Sequence, residues 1–487
     1  MNAPLTSSDE RRPSAPWLLA LLLAYFAAHV LSRIFVSDAL ELDEAEQAVW
    51  TQQLAAGYGV QPPLYTWLQW GMFRIAGVSV LSLSLLKNAL LALTYVFVWL
   101  TARRMMAAPL ALLASASMLL LPQIGWESQR DLTHSVLVTT LAAATLCIVV
   151  RLAQNPPPRL RPALHVALGA AIGLGALSKY SFAMFATALA LAVLTTPQMR
   201  GVWRTRWIFL SMLVAAAVVA PHALWLVDHW HLASARTLEK MGAAPGVLSG
   251  FARGLGSLGN AFAATLAAFA LALAAVFGRA AWPRTADAPY AAFWRRYLVA
   301  LVALLLAMVF VGGASHFKGR WLQPLLFMAP LIYFCGRPDL ASHPRRRWLH
   351  RTLFALALLF ITLLSLRPVF DGWRDRPDEL NEPVAELASA LIAAGYDGQA
   401  PIVTHDKVLA GVLRIRFPRA PVSVWQPDGT ALAAMHGRYL LIGKGADGAA
   451  FLAHAGVASP RRITLPYRHA KPDHAPIDYV HAFGDGA

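Results

Sequence analysis

Long apolar runs, separated by short polar connections, fill most of the first 366 residues. Each run approaches the roughly 20 residues that a helix needs to cross a bilayer. The runs cover residues 17–36, 79–102, 107–125, 132–150, 163–178, 181–196, 207–226, 257–278, 297–313, 321–336 and 351–366. This pattern predicts an all-α polytopic membrane fold with about 11 transmembrane helices.

The pattern changes after residue 366, where the chain becomes polar and is interrupted by Gly and Pro. Short apolar elements follow, with helices predicted at 382–394, 407–415 and 448–455, and strands at 401–404, 422–425, 439–443, 462–467 and 477–483. Helices that alternate with strands are typical of a small α/β layer domain. We therefore predict a transmembrane domain over 1–366, with its first outer loop at 37–78, and a small α/β extracytoplasmic domain over 367–487.

Composition agrees with a membrane protein. Only 14% of the 487 residues are charged and 57% are hydrophobic, whereas about a quarter of the residues of an ordinary soluble domain are charged. The net charge of +16 does not indicate nucleic-acid binding, because the basic residues cluster in alternate connections between the apolar runs. By the positive-inside rule these connections are cytoplasmic. The N-terminus is then cytoplasmic, and the loop at 37–78 and the C-terminal domain face outward, the periplasm in a bacterial inner membrane.

The first outer loop contains an acidic cluster at its start, formed by Asp43, Glu44 and Glu46. Ionisable groups at a membrane face are costly unless they are solvated or used. One alternative is that Asp43 only caps a short surface helix. Capping does not account for the return to the membrane through Gly57-Tyr58-Gly59 and Gln61-Pro62-Pro63-Leu64-Tyr65, which turns sharply and places aromatic rings at the interface.

Two further groups of polar residues are predicted at the same face. Asp131 and His134, three residues apart, share a helix face at the outward start of the fourth run; the alternative is a pair of capping or snorkelling residues. Lys179 interrupts the 163–196 hairpin, and His316, Lys318 and Arg320 precede the tenth run. Outer loops are otherwise poor in cations. These four side chains therefore indicate a bound anion, for which phosphate is the natural candidate, or else contact with lipid headgroups.

Carboxylates and cations that meet at one face of a helical bundle favour a group transfer in which a phosphate leaves. A carboxylate would activate the acceptor while Lys and Arg stabilise the charge on the leaving phosphate. Nucleotide sugars stay in the cytoplasm, so an outward-facing site needs a donor that arrives within the membrane. No cofactor is identified, and a divalent metal ion stays open, since carboxylates alone do not define the several oxygen ligands that such an ion requires.

The order of these elements resembles the GT-C glycosyltransferases of the protein O-mannosyltransferase superfamily, glycosyltransferase family 39 and its relatives. The resemblance rests on the acidic pair at 43–44, the PPLY return, the acid at 131, the LSK-aromatic break and the K-x-RW-x-x-P start of a late run. The most similar members in general character are bacterial aminoarabinose transferases acting on lipid A and galacturonosyl transferases acting on the lipopolysaccharide core.

The resemblance implies an inverting transfer of a monosaccharide from a polyprenyl-phosphate donor to an envelope acceptor such as lipid A, lipopolysaccharide core or another glycan. Carried across, Asp43, Glu44 and Asp131 are the catalytic acids. The substrate-binding candidates are Tyr65, His134, Lys179, His316, Lys318 and Arg320. One departure is Gln61, which stands where the lipid A enzymes have a Lys, so a phosphate contact from that position is lost.

Two other functions stay open on the sequence. A transporter or flippase of lipid-linked sugars would suit many spans with interrupted helices, although the unusual residues lie at one face rather than at the midplane. A glycan ligase using a polyprenyl-diphosphate oligosaccharide would also need outward-facing Arg residues. The early acidic loop with the PPLY return favours the monosaccharide transferase.

Overall fold

The computed structural model describes residues 15–231, 248–282, 290–425 and 437–486. Helices dominate up to residue 373, and a small sheet follows. The helices of the first part are α1 Ala15–Val36, α2 Leu42–Trp50, α3 Leu64–Ala76, α4 Val80–Met105, α5 Ala108–Ala116, α6 Ser128–Arg130, α7 His134–Ala153, α8 Arg161–Ala176, α9 Phe182–Thr195, α10 Arg200–Trp203, α11 Ile208–Asp228, α12 Leu248–Phe277, α13 Ala291–Phe310, α14 Gly319–Leu326, α15 Ala329–Cys335 and α16 Arg346–Trp373.

Seven of the described helices are long and apolar enough to cross a membrane: α1, α4, α7, α11, α12, α13 and α16. Two bent pairs raise the number to nine if each is one span. The first pair bends by 73° between Leu120 and Gln123, and the second bends by 102° between Thr195 and Pro197. Both breaks contain a proline, Pro122 or Pro197, whose ring removes a backbone donor and prevents a straight helix.

The predicted count of eleven spans is not confirmed, although all eleven apolar runs contain helix. Helix α8 has 16 residues. The run at 321–336 is divided into α14 and α15, with Pro324 inside the first helix and Pro330 in the first turn of the second. Proline in these positions interrupts the hydrogen bonds that would join the two helices into one span. The last span also continues to Trp373, beyond the predicted boundary at 366.

Helix α7 lies at the centre of the bundle, and 72% of the residues in its most apolar stretch are buried. It packs against α4, and the hydroxyl groups of Thr94 and Thr140 meet at 2.9 Å between the two helices. Within one apolar core, α7 and α4 also join the residues of α9, α13 and α14. The bundle therefore holds α7 in a fixed place, and the N-terminal end of this helix begins at His134.

The C-terminal part is a five-stranded sheet with helices on both faces. Its elements are α17 Val384–Ala393, β1 Ile402–Thr404, α18 Lys407–Arg416, β2 Val422–Val424, β3 Gly437–Lys444, α19 Gly445–His454, β4 Arg461–Leu465 and β5 Ile477–Gly486. The strand order is β2-β1-β3-β5-β4, parallel from β2 to β3 and antiparallel from β3 to β4. Helices α17 and α18 cover one face and α19 covers the other. Each predicted helix and strand of this region is present, within a few residues of its expected bounds.

The turn from β3 to α19 has the letters G-x-G-x-x-G, from Gly443 to Gly448. Its first and last glycines pack backbone against backbone, because a Cβ added to Gly443 would lie 2.3 Å from the Gly448 Cα. Gly445 has φ +61°, a left-handed conformation that favours glycine. Strand β5 pairs with both β3 and β4 in antiparallel direction, and β4 does not pair with β3. In a dinucleotide-binding fold the strand after the helix pairs in parallel with the sheet. We therefore attribute the glycine spacing to close packing between β3 and α19.

Candidate active site

The first acidic residues lie on α2, a short helix between the membrane bundle and the sheet. The backbone N–H of Glu41 donates to the Glu44 carboxylate at 3.3 Å, and the Ala45 N–H donates to the Glu41 carbonyl at 2.9 Å. Glu44 therefore closes the first turn. The capping role considered for Asp43 falls to its neighbours, and the Asp43 side chain is left for other contacts.

Asp43 and Asp131 meet next to the N-terminal end of α7. The backbone N–H of Asp43 donates to Oδ1 of Asp131 at 2.9 Å. In return, Oδ2 of Asp43 accepts hydrogen bonds from the backbone N–H of Thr133 at 3.1 Å and from its hydroxyl at 3.2 Å. These reciprocal contacts join the start of α2 to the turn before α7. The two predicted acids thus share one site.

The two carboxyl groups have different surroundings. Partial burial and the nearby negative charge of Asp43 raise the pKa of Asp131 to about 7. Both causes act in the same direction, because each disfavours the ionised carboxylate. The Asp131 carboxyl group therefore changes its charge near neutral pH. Asp43, by contrast, accepts two hydrogen bonds at one of its oxygens, both from Thr133.

Glu44 points the other way and is fully buried. Its carboxylate pairs with Arg33 at 2.7 Å and with Lys87 at 3.4 Å. Burial alone would raise the pKa of Glu44, but the positive charges of Arg33 and Lys87 outweigh it and hold the pKa at about 2. Glu44 is therefore an ionised partner of two cations. This surrounding suits the fixing of α2 and does not suit proton transfer to a substrate.

Lys87 connects both acidic segments. Its ammonium donates to Glu44 on α2 and also to the backbone carbonyls of Gln129 at 3.2 Å and Arg130 at 3.3 Å. These three acceptors match the three donors of a lysine ammonium. Since Arg130 precedes Asp131 in the chain, Lys87 sets the distance between the segment that carries Asp43 and the segment that carries Asp131.

His134, the first residue of α7, contacts α2 through one ring nitrogen and the break between α8 and α9 through the other. The Gln47 amide N–H donates to Nε2 at 3.2 Å, and Nδ1–H donates to the Ser178 carbonyl at 3.3 Å. The Thr66 hydroxyl holds the other end of the Gln47 amide at 2.9 Å. The buried Tyr65 ring lies 5.5 Å from the His134 ring, measured between centroids. His134 and Tyr65 therefore belong to the wall of the site, and the imidazole is already engaged within the protein.

Lys179 reaches the same region. Its ammonium donates to the hydroxyl of Ser135 at 2.7 Å, one residue after His134. The break between α8 and α9 thus places this cation beside the start of α7. A positive charge and the two acids lie within one continuous set of contacts.

The remaining predicted cations form a segment that we call the cationic loop, residues 316–320. His316, Lys318 and Arg320 are exposed, and their side chains have no hydrogen-bond or ion-pair partner within the described ranges. The loop is anchored at Phe317, whose backbone N–H donates to the Ser257 hydroxyl at 2.8 Å. The loop therefore has an anchored backbone at Phe317 and exposed cationic side chains.

Two contacts place the cationic loop at the Asp131 end of the bundle. A Cβ on Gly319 would lie 2.7 Å from Nε2 of Gln123, and the Gln323 amide donates to the Ser128 hydroxyl at 3.0 Å. Both partners belong to the bent segment that leads to Asp131. The cationic loop and the acidic residues therefore adjoin the same bent segment, residues 123–130.

Four residues of this site were not singled out from the sequence: Arg33, Gln47, Lys87 and Thr133. Arg33 and Lys87 stand alone within apolar runs, and a lone charge in a span commonly has a buried partner or a function. That pattern was sufficient to identify them. Gln47 and Thr133 have no such sequence pattern, because amides and hydroxyls are common near helix ends.

A metal site finds no support in the described ranges, where no group of three or more His, Cys, Asp or Glu side chains is arranged to hold an ion. The Asp131 carboxylate instead accepts a hydrogen bond from the Asp43 backbone N–H, and the Asp43 carboxylate accepts one from the Thr133 hydroxyl.

Comparison with known proteins gives two long sequence matches and one family match. The lipopolysaccharide core galacturonosyltransferase RgtB of Rhizobium johnstonii is 35% identical over 430 residues, covering 85% of this chain and 84% of that protein. RgtA of the same organism, also a lipopolysaccharide core galacturonosyltransferase, is 32% identical over 442 residues, covering 87% and 86%. Residues 60–225 match the family described as dolichyl-phosphate-mannose-protein mannosyltransferase.

The fold is similar to that of ArnT from Cupriavidus metallidurans. Its crystal structures in the apo state and bound to undecaprenyl phosphate give TM-scores of 0.61 and 0.59. The sequences are 15% identical, and each match covers 96% of this chain and 98% of ArnT. At this identity the likeness concerns the fold, and it extends over both the helical bundle and the C-terminal sheet.

Proposed function

We propose that this chain, which belongs to the family of the lipopolysaccharide core galacturonosyltransferases, transfers a monosaccharide from a polyprenyl-phosphate donor to a lipopolysaccharide acceptor. The family makes the protein a glycosyltransferase. The observation that carries the proposal is the Asp43–Asp131–Thr133 cluster at the bundle face that also holds Lys179 and the cationic loop.

The donor is inferred from the cations and from the fold. A polyprenyl phosphate keeps its chain in the membrane and presents its phosphate at the membrane surface. Lys179, Lys318 and Arg320 offer charged donors there, and such donors bind phosphate oxygens strongly. The similar fold of ArnT has been crystallised with undecaprenyl phosphate, which supports a lipid phosphate as the class of leaving group.

The proposed reaction is a single displacement at the anomeric carbon. The acceptor hydroxyl oxygen forms a bond to C1 of the sugar while the bond from C1 to the phosphate oxygen breaks. Asp43 accepts the hydroxyl proton, and polyprenyl phosphate leaves with the electron pair of the broken bond. Lys179, Lys318 and Arg320 stabilise the negative charge that develops on the phosphate. Attack opposite to the leaving group inverts the anomeric configuration.

The other residues of the cluster have supporting roles in this scheme. Asp131 accepts a hydrogen bond from the backbone N–H of Asp43. Because the pKa of Asp131 is about 7, its ionisation determines how much negative charge lies beside the base near neutral pH. Glu44 fixes α2 through Arg33 and Lys87. Tyr65 and His134 shape the wall that faces the sugar. These assignments refine the three-acid prediction, with Asp43 as the base and Glu44 as a positioning residue.

The sugar and the acceptor follow from the relatives. Both long matches are named lipopolysaccharide core galacturonosyltransferases, so galacturonic acid and the core are the first donor sugar and acceptor to test. The exposed cations of the cationic loop also suit a donor whose sugar carries a carboxylate as well as a phosphate. We place the site at the periplasmic face of the inner membrane, with the N-terminus in the cytoplasm.

The experiment that tests the function uses purified full-length protein with radiolabelled polyprenyl-phosphate galacturonic acid and lipopolysaccharide core. Label moving into the core supports the proposal, and Asp43→Asn should abolish that transfer while the protein keeps its elution volume in detergent. Retained turnover in this variant would exclude Asp43 as the base.

Two outcomes would favour the other functions. If labelled lipid crosses a vesicle membrane without a new glycosidic bond, the protein is a transporter. If only a preassembled oligosaccharide on a polyprenyl diphosphate is transferred, it is a ligase. In cells, mass analysis of lipopolysaccharide with and without the protein should show the loss of one hexuronic acid.

A further inference from the structure

The outer surface of α2 is covered by the C-terminal sheet domain. A Cβ added to Gly411 of α18 would lie 2.3 Å from the Cα of Ala45 and 2.7 Å from its carbonyl oxygen. Only a residue without a side chain permits this distance between the two helices. Ala45 and Ala48 of α2 form a small apolar cluster with Val412 of α18 and Val384 of α17. The helix that carries Asp43 is therefore in direct contact with elements more than 330 positions later in the chain.

A second contact joins the end of this helix to the edge of the sheet. The Gln52 amide donates to the Val422 carbonyl at 2.8 Å, and the Val422 N–H donates to the Gln52 amide oxygen, also at 2.8 Å. Strand β2 is at the edge of the sheet. The Gln52 side chain therefore pairs with the backbone N–H and carbonyl of Val422, as a neighbouring strand would, and these two hydrogen bonds fix its orientation.

Charged contacts surround these two points. Lys407, the first residue of α18, pairs with Glu46 at 2.8 Å. Arg367 on α16 pairs with Glu41, just before α2, and with Asp378 on the segment that leads to the sheet. The first pair is half-exposed and contributes little by itself. Together they show that α2 is bound along its whole length by residues from α16 onward.

We infer that the C-terminal sheet domain is part of the catalytic machinery as a positioning element, and that Gly411 and Gln52 are the positioning residues through which it places Asp43. The inference rests on the proposed function. It assigns the domain a role at the reacting atoms through α2 and no substrate contact of its own.

The physical reason lies in the length of α2. The helix has nine residues, and isolated helices shorter than about 12–15 residues are marginal in water. Its position must therefore come from its surroundings. On one side Arg33, Lys87 and His134 hold it, and on the other side Gly411 and Gln52 hold it. A displacement of about 1 Å in a catalytic group can lower a rate by about a hundredfold, so loss of either side should affect turnover.

The test uses two variants of the full chain. Gln52→Met removes both hydrogen bonds at nearly constant volume, and Gly411→Leu forces α18 away from Ala45. We expect kcat to fall by about tenfold or more in each, with the donor KM changed by less than about twofold. The matched control is Gln53→Met, because Gln53 is exposed and its side chain makes no hydrogen bond to the described residues. Gly411→Ala is a milder second variant, in which a smaller loss is expected.

Hydrogen exchange gives a readout that does not need turnover. The α2 amides should exchange faster in Gln52→Met and Gly411→Leu than in the parent, while the α7 amides stay protected. Unchanged kcat and unchanged α2 exchange in a folded Gln52→Met protein would overturn the inference. An equal loss in Gln53→Met would do the same. If the parent transfers no sugar from any polyprenyl phosphate, the proposed function fails, and exchange in α2 still decides whether the sheet domain positions this helix.

Discussion

At the scale of residues, the site depends on contacts between side chains that are far apart in sequence. Asp43 and Asp131, separated by 88 positions, are joined by a hydrogen bond of 2.9 Å. Each was identifiable, because a carboxylate beside an apolar run needs a reason to be there. Their contact with each other could not be predicted, since it depends on how α2 packs against the bundle. Lys87 connects the two acidic segments, and its three acceptors are known only from the structure.

The pH dependence of transfer should report Asp131. Burial and the charge of Asp43 raise the pKa of Asp131 to about 7, so this group is neutral below that pH and ionised above it. Once ionised it adds a negative charge next to Asp43, and this charge attracts the proton as it leaves the acceptor hydroxyl. We expect kcat to rise as the pH increases through about 7, and Asp131→Asn should remove that limb. A limb that persists in Asp131→Asn would assign the ionisation elsewhere.

The same ionisation affects folding with a definite sign. The pKa of Asp131 in the folded protein is above the value of about 3.9 for an unfolded chain. Its contribution to stability is therefore full at low pH and is lost as the pH rises through about 7. Thermal unfolding of Asp131→Asn should depend less on pH in that interval than unfolding of the parent.

Lys87 should be required for turnover although it touches no substrate. Lys87→Met leaves Glu44 with Arg33 alone and frees the carbonyls of Gln129 and Arg130. We expect kcat to fall by about tenfold or more. Thr94→Val is the matched control, because it also replaces a buried polar group of α4 but contacts Thr140 instead. A double variant with Glu44→Gln should lose less than the sum of the two single losses, since both residues act on α2.

At the scale of elements, the periodicity and length of apolar runs predicted the helices and strands that are determined by neighbouring residues. The alternation of the C-terminal elements was recognisable because turn residues separate short strands from amphipathic helices. The bent pairs and the division of the run at 321–336 were missed. Hydropathy is averaged over a whole run, so it cannot distinguish a straight span from two short helices. Pro122, Pro197, Pro324 and Pro330 mark the breaks, and greater weight on them would have changed the count.

The cationic loop is an element with a testable role. Lys318→Ala and Arg320→Ala should each raise the KM for the lipid donor by about tenfold, because each removes a charged phosphate contact, with a smaller effect on kcat. Arg74→Ala is the matched control, since Arg74 is also exposed and its guanidinium lies over the Trp70 ring. An unchanged donor KM in both loop variants would remove this loop from the phosphate site.

At the scale of the whole molecule, the order of motifs carried more information than any one of them. The resemblance to the GT-C glycosyltransferases is confirmed, and so is the assignment as an enzyme. The contact between the sheet domain and α2 could not be predicted, because nothing in Ala45 or Gly411 alone specifies a partner. Small residues permit a close approach without indicating what approaches.

The orientation predicted from charge can be tested on the whole chain. Gln399→Cys lies in the sheet domain and Arg347→Cys lies at the start of α16, and both positions are exposed. In spheroplasts a membrane-impermeant maleimide should label Gln399→Cys directly and Arg347→Cys only after lysis. The parent chain is the control, since Cys335 is buried and Cys147 is half-buried. The opposite labelling pattern would invert the proposed topology.

The hydrogen bonds between Gln52 and Val422 bridge 370 positions, and this separation has a consequence for biosynthesis. During translation the helix that carries Asp43 is made long before β2, the strand that contacts Gln52. A nascent chain that ends before α18 therefore lacks these two hydrogen bonds and the packing of Ala45 on Gly411. A truncated translation product of this kind is expected to turn over more slowly than the full chain, by about the factor expected for Gln52→Met.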